Sequence, residues 1–308
     1  MSNERNTENI VRDILRENKF QYKKVRIYEQ KTDNLLIQKL LKNASKRGEG
    51  IGRPEFIITF DEIKDLIMII ECKADIKKHK SKEGDRFGEF AVDDVLLYSS
   101  FLSKQFNVIS IAVSGETKRE LIVSNFLQLQ NLNYRELENK SILIFEDYIK
   151  IFRKDPQKEK QDIENLMKYS RKLHNDLRDF AKLSEPEKPL LISAILIALE
   201  DRSFRASYKE ETRAVDLAKS MINTIEKVLE KARIPENKRI NMIQPYSFIP
   251  VHPELIKEKN RDNKKVSILY DLTREIDENV MDFLNEYEHF DVLGQFYGEF
   301  LRYTGGDK

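Results

Sequence analysis

A single cysteine, Cys72, stands in the 308 residues, and there is no tryptophan. One thiol excludes an intramolecular disulfide and a cysteine-based zinc centre, and it suits a reducing compartment. An excess of one charge sign is also missing. Lys and Arg number 54 against 53 Asp and Glu, a formal net charge of +1, so any basic footprint for a polyanion has to be local. No apolar run approaches the roughly 18 residues that a bilayer span requires, and the polar N-terminus lacks a basic stretch leading into an apolar core. The expectation is no membrane partner and a cytoplasmic location. There is no Gly-x-x-x-x-Gly-Lys-Ser/Thr phosphate loop, which excludes a translocating ATPase, and no Asn/Asp-Pro-Pro-Tyr/Phe motif or glycine-rich cofactor loop in strand-to-helix context, which excludes base methylation within these residues.

What is present is dense charge, 35% of residues, set among 40% hydrophobic ones, the composition of a soluble, helix-rich globular chain. The length suits two domains better than one. Residues 6–18 and 33–44 each place apolar side chains on one helical face: Ile10, Val11, Ile14 and Leu15, then Leu36, Ile37, Leu40 and Leu41. The segment 46–54 holds three glycines and Pro54, so it reads as a loop that brings backbone close to a partner. A short β-branched strand over 55–60, a turn over 61–64 and the apolar run Leu66 to Ile70 then read as a hairpin whose second strand is central. A charged loop over 74–88, a helix over 89–104 and strands over 108–113 and 121–125 complete the order helix, helix, strand, strand, helix, strand, strand. This is a mixed α/β domain over 1–152.

Beyond Phe152 a charged connector, Asp155 to Lys160, leads into helical periodicities without a convincing strand, so 153–308 is expected to be an all-α domain. Ser184-x-x-Glu187 looks like a capping box ahead of a helix over 190–199. Two further helices, about 265–284 and 286–303, close the chain. His174, His252 and His289 lack ligand spacing, and His79 reads as a surface histidine.

Chemistry concentrates at Glu71 and Lys73. Residues two apart on a strand share a face, so a carboxylate and an ammonium emerge side by side while Cys72 packs on the opposite face. A hairpin turning at 61–64 carries Glu55 toward them. Hard cations prefer oxygen ligands, and Mg²⁺ needs only one or two carboxylates alongside water and substrate phosphate, which Glu55 and Glu71 can supply. Lys73 can then orient or help deprotonate an attacking water. Lys77, Lys78, Lys80, Lys82 and Arg86 offer phosphate contacts, although the same composition equally describes an ordinary solvated loop.

Pro54-Glu55, fifteen residues, then Glu71-Cys-Lys73 resembles the PD-(D/E)xK nuclease motif, with Glu in place of the commoner Asp. The longer string from Gly50 through Asp75 to Tyr98 is similar to the amino-terminal nuclease of fused restriction-methylation enzymes and to that of type I restriction subunits. The helical half, through Leu173-His-Asn-Asp-Leu and Leu190 to Leu199, looks like the connector that precedes an adenine-N6 methyltransferase. The resemblance implies a restriction-endonuclease-like mixed sheet flanked by helices and phosphodiester hydrolysis with Mg²⁺, Mn²⁺ substituting. It implies Glu55, Glu71 and Lys73 as catalytic residues, and Glu55, Glu71 and the Cys72 backbone carbonyl as metal ligands. Asp94-x-x-x-Tyr98 takes the place of a Gln-x-x-x-Tyr pair, Glu17 is the acid expected from the first helix, and Arg53 joins Lys77, Lys78 and Lys80 as a DNA-phosphate contact. The implied partners are double-stranded DNA and methyltransferase and specificity modules, on a longer chain or a separate subunit. S-adenosylmethionine enters only through such a methyltransferase. A rival reading keeps the nuclease fold as a catalytically silent DNA-binding or assembly module.

Overall fold

The alternation that places Glu71 beside Lys73 also builds the sheet around them. The computed structural model describes residues 3–18, 20, 24–44, 51–210, 213–261, 264–281, 283–284, 287 and 292–302. Residues 46–50 of the glycine loop, His289 and part of the helix expected over 286–303 lie outside them. The chain divides into two compact units, Met1–Glu159 and Lys160–Lys308.

The first unit is a six-stranded mixed sheet in sequential order: β1 (Val25–Glu29), β2 (Phe56–Phe60), β3 (Leu66–Lys73), β4 (Asn107–Ser114), β5 (Ile122–Gln128) and β6 (Tyr134–Glu136). Only β3 and β4 run parallel, and α3 (Ala91–Leu102) makes the crossover between them. Period-two alternation sorts β3 onto two cores. Leu66, Met68, Ile70 and Cys72 pack with Val11 and Leu15 of α1 (Glu4–Glu17) and with Tyr148, Ile149 and Phe152 of α4 (Phe145–Arg153). Ile67 and Ile69 pack with Ile37 and Leu41 of α2 (Leu35–Leu41) and with Val92, Val95, Tyr98 and Leu102 of α3. Helices therefore cover both faces, and the odd-numbered residues of β3, Glu71 and Lys73 among them, belong to the α3 side.

Two strands were not legible. Strand β1 is five residues long on a sheet edge, with Arg26 and Glu29 exposed, and β6 has three exposed residues. Neither buries enough apolar surface to announce itself by pattern.

Gly52 marks where the glycine loop touches this unit. Its N–H donates to the Leu41 carbonyl at 2.8 Å, and a methyl group there would stand 2.5 Å from the Ala44 carbonyl oxygen and 2.8 Å from the Tyr98 ring. Backbone cannot yield as a flexible side-chain tip does. Gly52→Ala is expected to cost about 1–3 kcal/mol, measured as a lower urea midpoint, and an unchanged midpoint would show that the loop gives way freely.

In the second unit one core collects Leu166, Leu173 and Leu177 of α5 (Pro156–Asp179), Ile192, Ile195 and Leu199 of α6 (Glu187–Leu199), Leu217, Met221 and Ile225 of α8 (Ala214–Lys231), and Leu269, Leu272 and Ile276 of α10 (Ile268–Ile276). Among the described residues the unit also holds the shorter helices α7 (Arg202–Ser207) and α9 (Glu236–Ile243) and a helix over Val292–Arg302. The α6 helix starts at Glu187, whose carboxylate accepts from the Ser184 N–H at 2.9 Å and hydroxyl at 2.6 Å, earlier than the expected 190. The expectation of an entirely helical second half is corrected by an antiparallel hairpin of β7 (Glu258–Arg261) and β8 (Lys264–Ser267). Its strands are almost wholly polar, so they carry no apolar alternation to read. Among the described residues no helix is long and apolar enough to cross a membrane.

Candidate active site

Strand β3 ends in a buried ionic cluster. Glu71 is fully buried and Lys73 nearly so, an arrangement that is costly unless opposite charges meet. Lys73 Nζ lies 3.5 Å from Glu71 Oε1, 3.2 Å from Asp94 Oδ2 and 3.5 Å from Glu4 Oε1. Asp94, in the first turn of α3, is also fully buried. Three carboxylates thus surround one ammonium, and the cluster carries an excess of negative charge.

Glu55 joins through strand register. The β2–β3 ladder pairs Phe56 with Ile70, so one step further Glu55 stands across from Glu71 on the same face of the sheet. The ladder to β1 continues to this point, because the Gln30 N–H donates to the Glu55 carbonyl at 3.1 Å. The Gln30 side-chain amide holds the Glu55 carboxylate at 2.9 Å. Burial first, and then the charge of Glu55, raise the Glu8 carboxyl above its ordinary range.

Glu4 and Glu8 are the acids that the sequence reading missed. The Thr7 hydroxyl donates to the Gly115 carbonyl at 2.8 Å, which docks the first turns of α1 at the carboxyl ends of β3 and β4. Glu17 sits thirteen residues past Glu4, about 20 Å along the axis. It is exposed and pairs with Lys118 at 2.8 Å, so the structure does not bring it to the cluster. The available signal was Glu4 and Glu8 themselves, one helical turn apart and therefore on one face.

Tyr98 is buried beside the cluster. Burial first, then the carboxylates of Glu71 and Asp94, push its phenol well above the ordinary range, and the backbone of Arg53 hydrogen-bonds it. The Arg53 residue itself is exposed. Cys72 is fully buried on the opposite core, where desolvation drives its thiol far up and leaves it inert. Lys77 and Lys78 lie exposed on a 3₁₀ turn, Ile76–Lys78, capped by Asp75, and Lys80 is exposed 3.9 Å from Glu136.

His79 is not the surface histidine its sequence neighbours suggest. It is buried, with Nδ1 3.0 Å from the Ser114 hydroxyl and Nε2 3.0 Å from that of Ser124. Periodicity cannot reveal this, because Ser114 and Ser124 come from β4 and β5. Desolvation lowers its pKa to about 4 against the nearby Glu136 charge. Folding therefore favours the neutral ring. Stability from this group is intact above the unfolded value near 6.5 and is lost as pH falls from there toward 4. Replacing His79 with Asn should flatten the urea midpoint across that window, and an equally steep acid limb in the variant would refute the assignment.

Among the described residues no group of three or more His, Cys, Asp or Glu is arranged to hold a metal ion by itself. The donors that do gather are all oxygens, in excess over the single amine. An all-oxygen donor set is the kind that a hard divalent cation prefers, and it lacks the thiolates and imidazoles typical of zinc sites.

A curated protein of Heyndrickxia coagulans, the "Type II restriction enzyme and methyltransferase RM.BcgI", is 27% identical over 302 residues, covering 91% of this chain and 46% of its own length. The chain is thus similar to a restriction-modification enzyme and spans less than half of it. No family model matches the chain. No solved structure matches it.

Proposed function

We propose that this chain is a Mg²⁺-dependent DNA endonuclease module of a restriction-modification system, with a PD-(D/E)xK-type site. The observation that carries the reading is the buried meeting of Glu71 and Lys73 at the end of β3, with Glu55 placed across from Glu71 by register. The relative's name adds the restriction-modification context and motivates a methyltransferase partner.

In this reading Glu55, Glu71 and the Cys72 carbonyl hold Mg²⁺, with Mn²⁺ able to replace it. The bound cation supplies charge stabilisation for the phosphate and makes a nearby water more acidic. Lys73, fixed among carboxylates, orients that water and offsets charge on the scissile phosphate. Tyr98 and Asp94 wall the cluster from the α3 side. Lys77, Lys78, Lys80 and Arg53 lie exposed, where backbone phosphates of double-stranded DNA can reach them.

Incubating the protein with methylated and unmethylated DNA pools, with Mg²⁺, Mn²⁺ or EDTA, tests the proposal. Metal-dependent double-strand cleavage supports it. DNA binding that is indifferent to metal and never cuts, with the methyltransferase partner supplied, leaves the silent DNA-binding module as the function.

A further inference from the structure

Loop 74–90 carries the exposed lysines, yet its backbone is held at three points. His79 is locked between Ser114 and Ser124. Asp93 accepts from the Ser81 N–H at 3.2 Å, from the Ser81 hydroxyl and from the Arg86 N–H at 2.9 Å. The Gly88 N–H donates to Asp94 Oδ1 at 2.5 Å. The second oxygen of that same carboxylate, Oδ2, stands 3.2 Å from Lys73 Nζ. One short, fully buried side chain therefore grips the loop with one oxygen and the amine of the candidate site with the other.

We propose that Asp94 is a positioning residue that couples the seating of loop 74–90 to the placement of Lys73. A carboxylate is rigid and planar, and the first turn of α3 leaves it little room, so a displacement of Gly88 is passed to the ammonium. Contacts of DNA phosphates with Lys77, Lys78 and Lys80 would bear on the same loop. Phosphate engagement and the poise of the amine then become one event. Gly88 adopts φ +87°, a conformation that a side chain strains, so Gly88→Ala disturbs the loop without altering any reacting group. The inference rests on the nuclease reading for what seats the loop, while the coupling itself does not depend on it.

Coupling free energies are reciprocal, which supplies a test that needs no cleavage. Amide hydrogen exchange is followed on the whole chain in wild type, Lys73→Met, Asp94→Asn and Asp94→Ala, with amides of β4 as the internal reference for global opening. Lys73→Met should accelerate exchange at Gly88 by about fivefold or more relative to β4. Asp94→Asn, which keeps an oxygen for Gly88, should accelerate it less than Asp94→Ala. In single-turnover cleavage, Gly88→Ala should slow the rate at saturating DNA by about fivefold or more, with little change in Kd. Unchanged Gly88 exchange in Lys73→Met overturns the coupling. So does a Gly88→Ala protein that cuts at the wild-type rate. Coupled exchange in a wild type that cuts no DNA even with the methyltransferase partner supplied would instead sink the nuclease reading and leave the coupling standing.

Discussion

Glu71→Ala and Lys73→Ala should each slow single-turnover cleavage at saturating DNA by about a thousandfold or more, while DNA affinity moves far less. The split follows from burial. Glu71 is fully buried and Lys73 nearly so, so they contribute little to the surface that would attract DNA, and in the proposed nuclease reading their work falls on the reacting phosphate. Truncating Glu71 removes from the end of β3 the carboxylate that would hold the cation in the proposed reading. Truncating Lys73 removes the ammonium around which Glu4, Glu71 and Asp94 are arranged. Their effects should be far from additive, because the residues act on one event. Gel-based single-turnover kinetics on one cleavable duplex decides the matter. Wild-type rates in either variant would remove the site from β3.

Lys73→Met should lower the unfolding free energy of the N-terminal unit by about 3 kcal/mol or more. Methionine keeps most of the side-chain volume and deletes only the charge. The buried carboxylates of Glu71 and Asp94 then repel with less to offset them, in surroundings where water cannot screen. The variant should also gain more from Mg²⁺ than wild type does, since a cation that binds only the folded form stabilises it by about 2.7 kcal/mol at a hundredfold excess over its Kd. Adding Glu71→Gln to Lys73→Met should restore part of the loss, because the two sites share one cluster. Urea unfolding with and without Mg²⁺ reads all of this. A midpoint that does not move on losing the amine would mean that the cluster is not held by its charges.

Some of the site was written in β3 alone. The apolar run Leu66 to Ile70 followed by Glu71-Cys72-Lys73 has one consistent placement in a covered sheet: even positions on one core, odd positions on the other, and the two charges together on the odd face. The hairpin turn after Phe60 fixed the pairing that sets Glu55 across from Glu71. Both inferences are local, because a period of two and a short turn need no knowledge of the rest of the chain.

What crosses between elements was not legible. Glu17 lies on a helix whose opposite end meets the site, and helical periodicity fixes which face is buried and says nothing about which end points at a strand. In the sequence Asp94 stands only where the family it resembles carries a glutamine, and its simultaneous hold on Gly88 and Lys73 exists because α3 begins beside the end of β3. His79 looked solvated because the hydroxyls that bury it lie thirty-five and forty-five residues away. The strand, its two faces and the carboxylate and amine that share one of them follow from the order of residues alone, because backbone alternation is an intrinsic property of an extended chain. Which helix acids reach the amine, and which loop is tied to it, emerges with the folded packing, because those distances are set by how helices pack on the sheet, and packing depends on every residue at once.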